Sequence, residues 1–314
     1  MSFYVVTGGA GFIGSHLAEE LERRGERIRV VDSLITGKRS NIAHVRSAEF
    51  IEGDLAEIDV ARRAVAGADY VLHQAAIPSV PRSVKDPLSS NRANIDATLN
   101  VLVAAHEAGV KRVVFAASSS AYGDAATSPK REDMPTGPLS PYALQKLVGE
   151  QYMQLFTKLY GLETVSIRYF NVFGPRQDPS SPYSGVISLF ATAILDGVAP
   201  TICGDGEQTR DFTYVANVVD GVLRACTANA SGEVINVATG GTISINELCR
   251  RMAQLAGVDI RPVHIEARLG DVRNSQADIS KARRLLGYEP IVSFEDGLAK
   301  TLDWYKAQRS SAAS

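Results

Sequence analysis

Short hydrophobic runs alternate with longer amphipathic stretches through the first 168 residues of the chain. Six runs rich in β-branched and aromatic residues predict buried strands: "FYVVT", "RIRVVD", "EFIEGD", "DYVLHQ", "RVVFAAS" and "ETVSIR". Apolar residues at helical spacing predict helices over residues 12–25, 57–66, 90–109 and 141–160. Buried strands separated by helices are typical of a parallel sheet covered on both faces. The pattern therefore predicts an α/β fold with a doubly wound parallel sheet.

Beyond about residue 170 the pattern changes to loops rich in Gly, Pro and Ser, such as "FGPRQDPSSPYSG", with shorter strands. Helices are predicted near 187–196, 216–228, 244–256, 279–287 and 294–309. A chain of 314 residues also exceeds the usual size of one hydrophobic core. We therefore expect two domains that share a cleft, residues 1–170 and a smaller α/β domain of residues 171–314.

Composition narrows the range of partners. Hydrophobic residues make up 45% and charged residues 22%, which is ordinary for a globular protein, and the net charge of −2 gives no electrostatic basis for binding nucleic acid or an anionic membrane. The sequence has no apolar run of about 18 residues and no room for a signal peptide before its first strand. The three cysteines and five histidines have no metal-ligand spacing. We expect a cytoplasmic protein without a metal that binds a small molecule.

A glycine-rich turn, "TGGAGFIG", follows the first strand. Gly9, Gly11 and Gly14 fit the G-x-G-x-x-G pattern, in which glycines allow a pyrophosphate to approach the N-terminus of the next helix. Asp32 ends the second strand 18 residues after Gly14, where a carboxylate binds ribose hydroxyls and repels a 2′-phosphate. The constellation predicts a Rossmann domain that binds NAD rather than NADP. Asp54 ends the third strand and either contacts the adenine or caps a helix.

The segment "SPYALQKLVGE" places a tyrosine and a lysine on one face of a predicted helix. Ser140 suits the N-cap and Pro141 the first turn, and Tyr142 and Lys146 are one turn apart. By itself the pair is either exposed on the surface without a function or part of an active site. Apolar residues at helical spacing are predicted to pack this helix on the core, which leaves the tyrosine and lysine on a different face. These apolar residues are Leu144, Leu147, Val148, Leu155 and Leu159.

These motifs resemble those of the extended short-chain dehydrogenase/reductase family, and specifically its UDP-hexose 4-epimerases. Ser118 in "FAASSSAYGD" ends the fifth strand, and Tyr142 follows it by 24 residues. The resemblance runs from Phe3 to about Trp304 and rests on further motifs: "HQAA", "SVPRSV", "RYFNVFGPRQ", "GDGEQTRDFTYV" and "GDVRNSQADISKARRLLGY".

The resemblance implies an active site of Tyr142, Lys146 and Ser118. Tyrosine has an ordinary pKa near ~10, so it is a poor base at neutral pH. Lowering that pKa by ~3 units requires the phenolate to be stabilised by about 4 kcal/mol. Lys146 is placed to supply a positive charge, and in the family it also binds the nicotinamide ribose. Tyr142 would take the proton of the 4-hydroxyl while hydride passes to NAD, and Ser118 would bind the substrate oxygen or relay the proton.

The family motifs also imply which residues contact the cofactor and the substrate. The residues that the resemblance assigns to NAD are Gly8, Gly11, Phe12, Ile13, Gly14, Asp32, Ser33, Asp54, Leu55, Gln74, Ala75, Ala76, Asn94, Tyr142, Lys146 and Tyr169. Those assigned to the UDP-sugar are Ser79, Arg82, Ser118, Ser119, Tyr142, Asn171, Gly185, Val186, Arg210, Arg268, Asp271 and Ser275. Arginines suit the diphosphate because their donors can bind it in pairs.

Ser275 occupies the family's gatekeeper position, where a bulky residue closes the sugar pocket. A serine there predicts that UDP-GlcNAc and UDP-GalNAc are accepted as well as UDP-Glc and UDP-Gal. Ser275 is alternatively an ordinary loop hydroxyl.

Several other functions stay open on the sequence. Sibling reactions are 4-epimerisation of UDP-glucuronate, dehydration and decarboxylation; dehydration needs an acidic pair after the strand-end serine, and "SSSAYG" has none. A non-catalytic NAD sensor would have lost Tyr142, Lys146 or Ser118. The family also implies a homodimer in which the helices at 90–109 and 141–160 pair with their copies.

Overall fold

The computed structural model describes residues 1–179, 185–267 and 272–313. Its strands are β1 (Phe3–Thr7), β2 (Arg27–Asp32), β3 (Glu49–Glu52), β4 (Tyr70–His73), β5 (Arg112–Ser118), β6 (Glu163–Tyr169), β7 (Asn171–Phe173), β8 (Thr201–Cys203), β9 (Thr209–Arg210), β10 (Phe212–Tyr214), β11 (Glu233–Val237), β12 (Ile243–Ser244), β13 (Val263–Ile265) and β14 (Asn274–Ser275).

The helices of the described residues cover both faces of the main sheet and continue into the second half of the chain. They are α1 (Phe12–Arg23), α2 (Ile58–Val65), α3 (Val80–Lys85), α4 (Pro87–Asn91), α5 (Ala97–Glu107), α6 (Pro141–Tyr160), α7 (Val186–Leu195), α8 (Val215–Ala225), α9 (Ile245–Ala256), α10 (Ser280–Leu286) and α11 (Phe294–Ala313). A π-helical turn, Arg92–Asp96, joins α4 to α5, so the helix predicted at 90–109 is one interrupted element. All nine helices predicted from the sequence are present.

The main sheet has seven parallel strands in the order β11-β6-β5-β4-β1-β2-β3. The doubly wound α/β prediction is confirmed, and all six predicted strands belong to this sheet. The seventh strand, β11, comes from beyond residue 170 and pairs with β6. The strand order reverses between β1 and β4, and in such sheets ligands bind at the carboxyl ends of the strands beside that reversal.

Alternate residues of the strands face two hydrophobic clusters. Tyr4 and Val6 of β1 pack with residues of α1 and α8, whereas Phe3 and Val5 pack with residues of α2, α5 and α6. The first cluster continues without a break into α7, α9 and α11. Much of the hydrophobic core of the second half of the chain is therefore continuous with the core on one face of the sheet.

The predicted packing face of α6 is wrong. Leu144, Leu155 and Leu159 are 50%, 46% and 65% exposed. The residues that α6 buries are Ala143, Gln145, Lys146, Gly149, Glu150, Met153 and Phe156. Both faces of this helix carry apolar residues, so periodicity alone did not identify the one that packs on the sheet. Lys146 lies on the buried face.

Candidate active site

The glycine turn joins β1 to α1 at the point where the strand order reverses. Gly8 has φ +63°, and a Cβ there would lie 2.7 Å from the backbone nitrogen of Ala75. A Cβ at Gly14 would lie 2.2 Å from the carbonyl oxygen of Gly8, so side chains are excluded from this close contact between turn and helix. Gly11 is the N-cap of α1, and no side chain caps that end. The N–H groups of the first turn, which includes Phe12 and Ile13, are thus left without a side-chain cap, as is typical of helix ends that bind anions.

Asp32 ends β2 next to this turn and is buried. Its carboxylate accepts hydrogen bonds from the backbone N–H of Ala10 at 3.0 Å and of Leu34 at 2.8 Å. Burial raises the pKa of Asp32, and the two N–H donors oppose that rise. The carboxylate therefore braces the glycine turn as well as standing at the position where a ribose is expected. Ser33 follows it and is partly exposed.

Asp54 lies in the turn between β3 and α2. Its carboxylate accepts from the backbone N–H of Ala56 at 2.9 Å and from the Arg92 guanidinium at 3.1 Å. The N-cap of α2 is Glu57, so the alternative that Asp54 caps a helix is wrong. Leu55 is buried beside it.

The strand end of β4 carries the next group of predicted cofactor residues. Gln74 accepts a hydrogen bond from the Tyr169 hydroxyl at 2.8 Å, while its Nε2 is buried and has no partner among the described residues. Burial raises the pKa of Tyr169 above its ordinary value, so this hydroxyl keeps its proton. Ala75 and Ala76 follow as small, partly exposed residues. A buried amide without a partner and a turn too tight for side chains both fit a bound dinucleotide.

His73 is a buried residue beside these groups for which the sequence predicted no role. Nε2 of His73 lies 3.0 Å from the Thr98 hydroxyl, which itself donates to the carbonyl of Asn94, so Nε2 carries the proton. Nδ1 accepts from the Thr7 hydroxyl at 2.7 Å, and that hydroxyl accepts from the N–H of Ala75. Burial lowers the pKa of His73 to about 3, so the ring is neutral. This chain of bonds fixes the loop after β4.

Asn94 lies in the π-helical turn and is buried. Its side chain accepts from the N–H of Ile77 at 2.8 Å and donates to Gln145 at 2.8 Å. Gln145 lies in α6 between Tyr142 and Lys146. Asn94 thus links the loop after β4 to the helix that carries the tyrosine and the lysine, and π-helical turns are frequent at functional sites.

The start of α6 is held as its sequence predicts. Ser140 is the N-cap and accepts from the N–H of Ala143 at 3.2 Å, and Pro141 occupies the first turn. The N–H of Tyr142 donates to the hydroxyl of Ser83 at 3.1 Å, which ties the first turn to α3. The position of the tyrosine is therefore set by the capped start of α6 and by its contact with α3.

Ser118, Tyr142 and Lys146 meet at the carboxyl end of β5. The Ser118 hydroxyl acts on the phenol of Tyr142 through a hydrogen-bonding interaction that lowers the pKa of the phenol. Nζ of Lys146 donates to the carbonyl of Ala116 at 2.7 Å. Ser118 of β5 and the tyrosine and lysine of α6 are thus brought to the same edge of the sheet as the glycine turn.

Burial opposes the ionised forms of both Tyr142 and Lys146, whereas the sequence predicts a charged lysine that stabilises a phenolate. Burial raises the pKa of Tyr142 to about 12, against the lowering effect of the Ser118 hydrogen bond. Burial also lowers the pKa of Lys146 to about 7, against the raising effect of Glu150. The protein interior therefore disfavours charge on both groups, and the phenolate is accessible only if further positive charge lies nearby.

Three consecutive serines follow β5. The N–H and hydroxyl of Ser120 both lie within reach of the Ser118 oxygen, at 3.2 and 2.8 Å, and both donate to it. Because these donors occupy both acceptor positions of Ser118, its own O–H is left to donate. Ser119 begins the 3₁₀ turn and is partly exposed. The geometry favours Ser118 as a donor to an oxyanion over Ser118 as a proton relay.

A small sheet brings the predicted sugar residues together. Arg210 of β9 is the register partner of Ser275 in β14. The N–H of Asp211 donates to the carbonyl of Ser275 at 2.7 Å, and the Asp211 carboxylate accepts from the N–H of Ala277 at 3.3 Å and from Thr239 at 2.6 and 3.0 Å. Asp211 is fully buried and was not predicted from the sequence, because its partners are up to 66 residues away.

The other predicted sugar contacts lie on separate elements. Ser79 is the N-cap of α3 and accepts from the N–H of Arg82, whose side chain is exposed. The amide of Asn171 donates to the carbonyl of Asp211 at 3.5 Å. Gly185 is the N-cap of α7 and Val186 its first residue. Arg268 and Asp271 lie outside the described residues.

The described residues contain no group of three or more His, Cys, Asp or Glu side chains arranged to hold a metal ion. None of their helices combines the length and apolar character needed to cross a membrane.

Known proteins resemble this chain over nearly its full length. A UDP-N-acetylglucosamine 4-epimerase from Methanobrevibacter ruminantium, solved in complex with UDP-N-acetylmuramic acid, has a TM-score of 0.94 and 40% identity, covering 98% of this chain and 99% of that one. A UDP-glucose 4-epimerase from Thermus thermophilus, solved with NAD, has a TM-score of 0.88 and 35% identity, covering 97% and 99%. The UDP-glucose 4-epimerase of Mycolicibacterium smegmatis is 38% identical over 307 residues, 96% of this chain and 98% of that one. Residues 4–238 match the NAD dependent epimerase/dehydratase family, and the chain belongs to that family.

Proposed function

We propose that this protein is an NAD-dependent UDP-hexose 4-epimerase. One observation carries the proposal. Ser118, Tyr142 and Lys146 lie at the carboxyl edge of the sheet, which also carries a glycine turn too tight for side chains, as a dinucleotide site requires. Relatives named UDP-glucose and UDP-N-acetylglucosamine 4-epimerases, which match almost the whole chain, support it. The reaction oxidises carbon 4 to a ketone and then reduces it from the opposite face.

The residues of the chain have separate parts in this reaction. Tyr142 takes the proton of the 4-hydroxyl and returns one to the epimeric alcohol. Ser118 donates to the substrate oxygen or to the phenolate, since its acceptor positions are taken by Ser120. Lys146 supplies positive charge to the phenolate, which the surrounding protein otherwise disfavours. Bound NAD would supply the hydride acceptor and donor for carbon 4 and, in its oxidised form, a second positive charge.

The cofactor site is proposed on the residues around the turn after β1 and the ends of β2 and β4. The first turn of α1 would hold the pyrophosphate, Asp32 the adenosine ribose, and Gln74 the nicotinamide half through its unpartnered amide. Residues 1–170 are thus proposed as the NAD domain and residues 171–314 as the UDP-sugar domain.

The sugar site is proposed on the small sheet of β9 and β14 and on Asn171, whose amide reaches the carbonyl of Asp211. Arg210, with Arg268, would bind the diphosphate, and Asn171 the linkage to the sugar. Ser275 leaves room for a 2-acetamido group, so UDP-GlcNAc and UDP-GalNAc are proposed substrates beside UDP-Glc and UDP-Gal. The 40% identity to a UDP-N-acetylglucosamine 4-epimerase supports this choice.

Dehydration, one of the sibling reactions of the family, needs groups that are missing from the turn after Ser118. Elimination of water from the sugar requires an acid and a base close to carbons 5 and 6, and serines occupy the turn after Ser118 where such a pair is expected. A non-catalytic NAD sensor is disfavoured because Ser118 at the end of β5 and Tyr142 and Lys146 on α6 are all retained.

A homodimer is proposed through the outer faces of α5 and α6. Leu144, Leu155 and Leu159 form an exposed apolar row on α6, and α5 packs beside it. Contiguous exposed apolar surface of this kind marks interaction sites. Three free cysteines and a nucleotide-linked substrate support a place in the reducing cytosol.

Charges introduced into this row are expected to separate the dimer. With both Leu144→Glu and Leu155→Glu, two carboxylates per subunit would have to be buried without partners, so light scattering should give a monomer mass. Leu255→Glu is the matched control, because that leucine is 44% exposed on α9, away from the row. A wild-type protein that is monomeric at micromolar concentration contradicts the proposal.

The proposed function is tested by incubating the purified protein with UDP-Glc, UDP-GlcNAc and UDP-glucuronate in separate samples and identifying products by NMR. We expect the 4-epimers of the first two sugars and no net change in NADH absorbance. Conversion of UDP-glucuronate alone would move the assignment to the sibling epimerase, and no epimer from any sugar would refute the proposed activity.

A further inference from the structure

A buried ion pair lies behind Lys146 and has no part in the chemistry described above. The Arg168 guanidinium in β6 donates to both oxygens of Glu150 in α6, from Nε at 2.9 Å and from an Nη at 2.7 Å. Only 4% of the Arg168 side chain and 3% of the Glu150 side chain are exposed. Burying two charges costs about as much as their attraction returns, so such a pair is weak evidence of a purely stabilising role.

Glu150 is one helical turn beyond Lys146 on the same buried face of α6. Side chains four residues apart on a helix are neighbours, so Glu150, which binds the Arg168 guanidinium directly, also acts on the ammonium of Lys146 and raises its pKa. Arg168 is itself held by the ring of Tyr122, with the guanidinium carbon 4.5 Å from the ring centre. The carboxylate is therefore fixed rather than free to turn away.

The other groups around Lys146 do not balance its charge. Its Nζ donates to the carbonyl of Ala116 and lies 4.8 Å from the ring centre of Phe115, both of which are neutral. The titratable or charged groups that face it are Tyr142 and Glu150 from α6, His73 from β4 and, behind Glu150, Arg168 from β6. His73 is neutral and Tyr142 holds its proton in the resting protein, so Glu150 is the anion that acts on Lys146.

We propose that Glu150, anchored by Arg168, is a positioning residue of the epimerase reaction that keeps Lys146 protonated beside Tyr142. The inference rests on the proposed function for the use made of the lysine. It extends the site from three residues to five, with the two added groups acting through Lys146 and without touching substrate.

Burial determines the direction in which loss of Glu150 would shift the pKa of Lys146. Burial lowers the pKa of Lys146 to about 7, and Glu150 holds it from falling further. Burial also raises the pKa of Glu150, which the hydrogen bonds from Arg168 oppose, so the pair keeps the carboxylate ionised. Without this carboxylate the ammonium would lose its proton at lower pH, and Tyr142 would then titrate beside a neutral lysine.

The test replaces both partners at once, because removing one alone leaves a buried unpaired charge that can unfold the protein. The double variant Glu150→Met with Arg168→Met fills similar volume without charge. Its control is Arg112→Met with Glu163→Met, an ion pair at the other end of the sheet whose arginine is buried. The control shows what loss of an ion pair does to stability and rate in general.

Two readouts are compared between these variants and wild type. In the kcat profile with UDP-Glc, the alkaline limb of the Glu150 and Arg168 variant should move about one unit to lower pH, which lowers the rate at about pH 8 by about tenfold. In the ultraviolet difference titration against Tyr142→Phe, with NAD present, the phenolate should form at higher pH than in wild type. The control variant should leave both midpoints in place.

Profiles and phenolate titrations that superimpose on wild type would overturn the proposal and leave the pair a structural one. If the double variant does not fold, Glu150→Gln is used, and its alkaline limb should also move to lower pH; an unmoved limb overturns the proposal. The phenolate titration does not require turnover. A shifted titration in a protein that epimerises no sugar would therefore refute the proposed function while supporting this role of Glu150.

Discussion

Replacing Tyr142 by phenylalanine is expected to lower kcat for UDP-Glc epimerisation by about 10³-fold while leaving the fold intact. The change removes the group that accepts the 4-hydroxyl proton, and a positioned acid or base is typically worth 10²–10⁴-fold in rate. The phenylalanine ring occupies the same space, and the N–H of residue 142 keeps its bond to Ser83. Neither Asp32 nor Gln74 is disturbed, so NAD binding should be retained.

The measurement is the epimerisation rate under saturating substrate, accompanied by an NAD-binding titration. Tyr152→Phe is the control, since Tyr152 is half-buried on the same helix and has no role in the proposed site. We expect the control to keep its rate within about twofold, as surface-proximal changes of this size do. A Tyr142→Phe protein with a tenth or more of the wild-type kcat would show that another group takes the proton.

Replacing Ser275 by tyrosine is expected to change which sugar the site accepts. The ratio of kcat/KM for UDP-GlcNAc to that for UDP-Glc should fall by about 100-fold or more, because a phenol ring occupies the space of the acetamido group. The backbone cannot withdraw to relieve the clash, since the carbonyl of Ser275 accepts from Asp211 and the next residues are tied to the same aspartate. Activity on UDP-Glc should persist, since its 2-hydroxyl is small.

Ser275→Ala is the matched control for this change. It removes the hydroxyl without filling the pocket, so both sugars should be turned over in nearly the wild-type ratio. A ratio that stays within threefold of wild type in Ser275→Tyr would mean that Ser275 does not border the acetamido group. It would then be a hydroxyl of the β14 edge with no part in selecting the sugar.

Much of the fold could be predicted from the sequence because its signals are local. The buried strands are short apolar runs, and the turn after β1 and the carboxylate of Asp32 fall at fixed spacings that a dinucleotide site demands. Ser140 and Pro141 likewise marked the start of α6 through capping chemistry that involves only nearby residues.

The features that were missed depend on contacts between distant segments. The leucines of α6 form a regular stripe, but the sheet contacts the opposite face, which holds Lys146 and Glu150. Strand β11 joins the sheet from the second half of the chain, and nothing local to residues 233–237 indicates which strand it will pair with. Asp211 and the pair of Glu150 with Arg168 are charged residues that sequence patterns place on the surface. Their burial is decided by partners far along the chain.

In the proposed reaction, carbon 4 of the sugar is oxidised and reduced within one binding event. A deuterium label at that carbon shows whether this happens. UDP-Glc with deuterium on carbon 4 is incubated with the purified protein in ordinary water, and the UDP-Gal formed is examined by NMR and mass spectrometry. Deuterium that leaves one face of carbon 4 and returns to the other in the same site stays on carbon 4 of the product. We predict essentially complete retention of the label at that position. Product that carries hydrogen at carbon 4, or no UDP-Gal at all, would contradict the account.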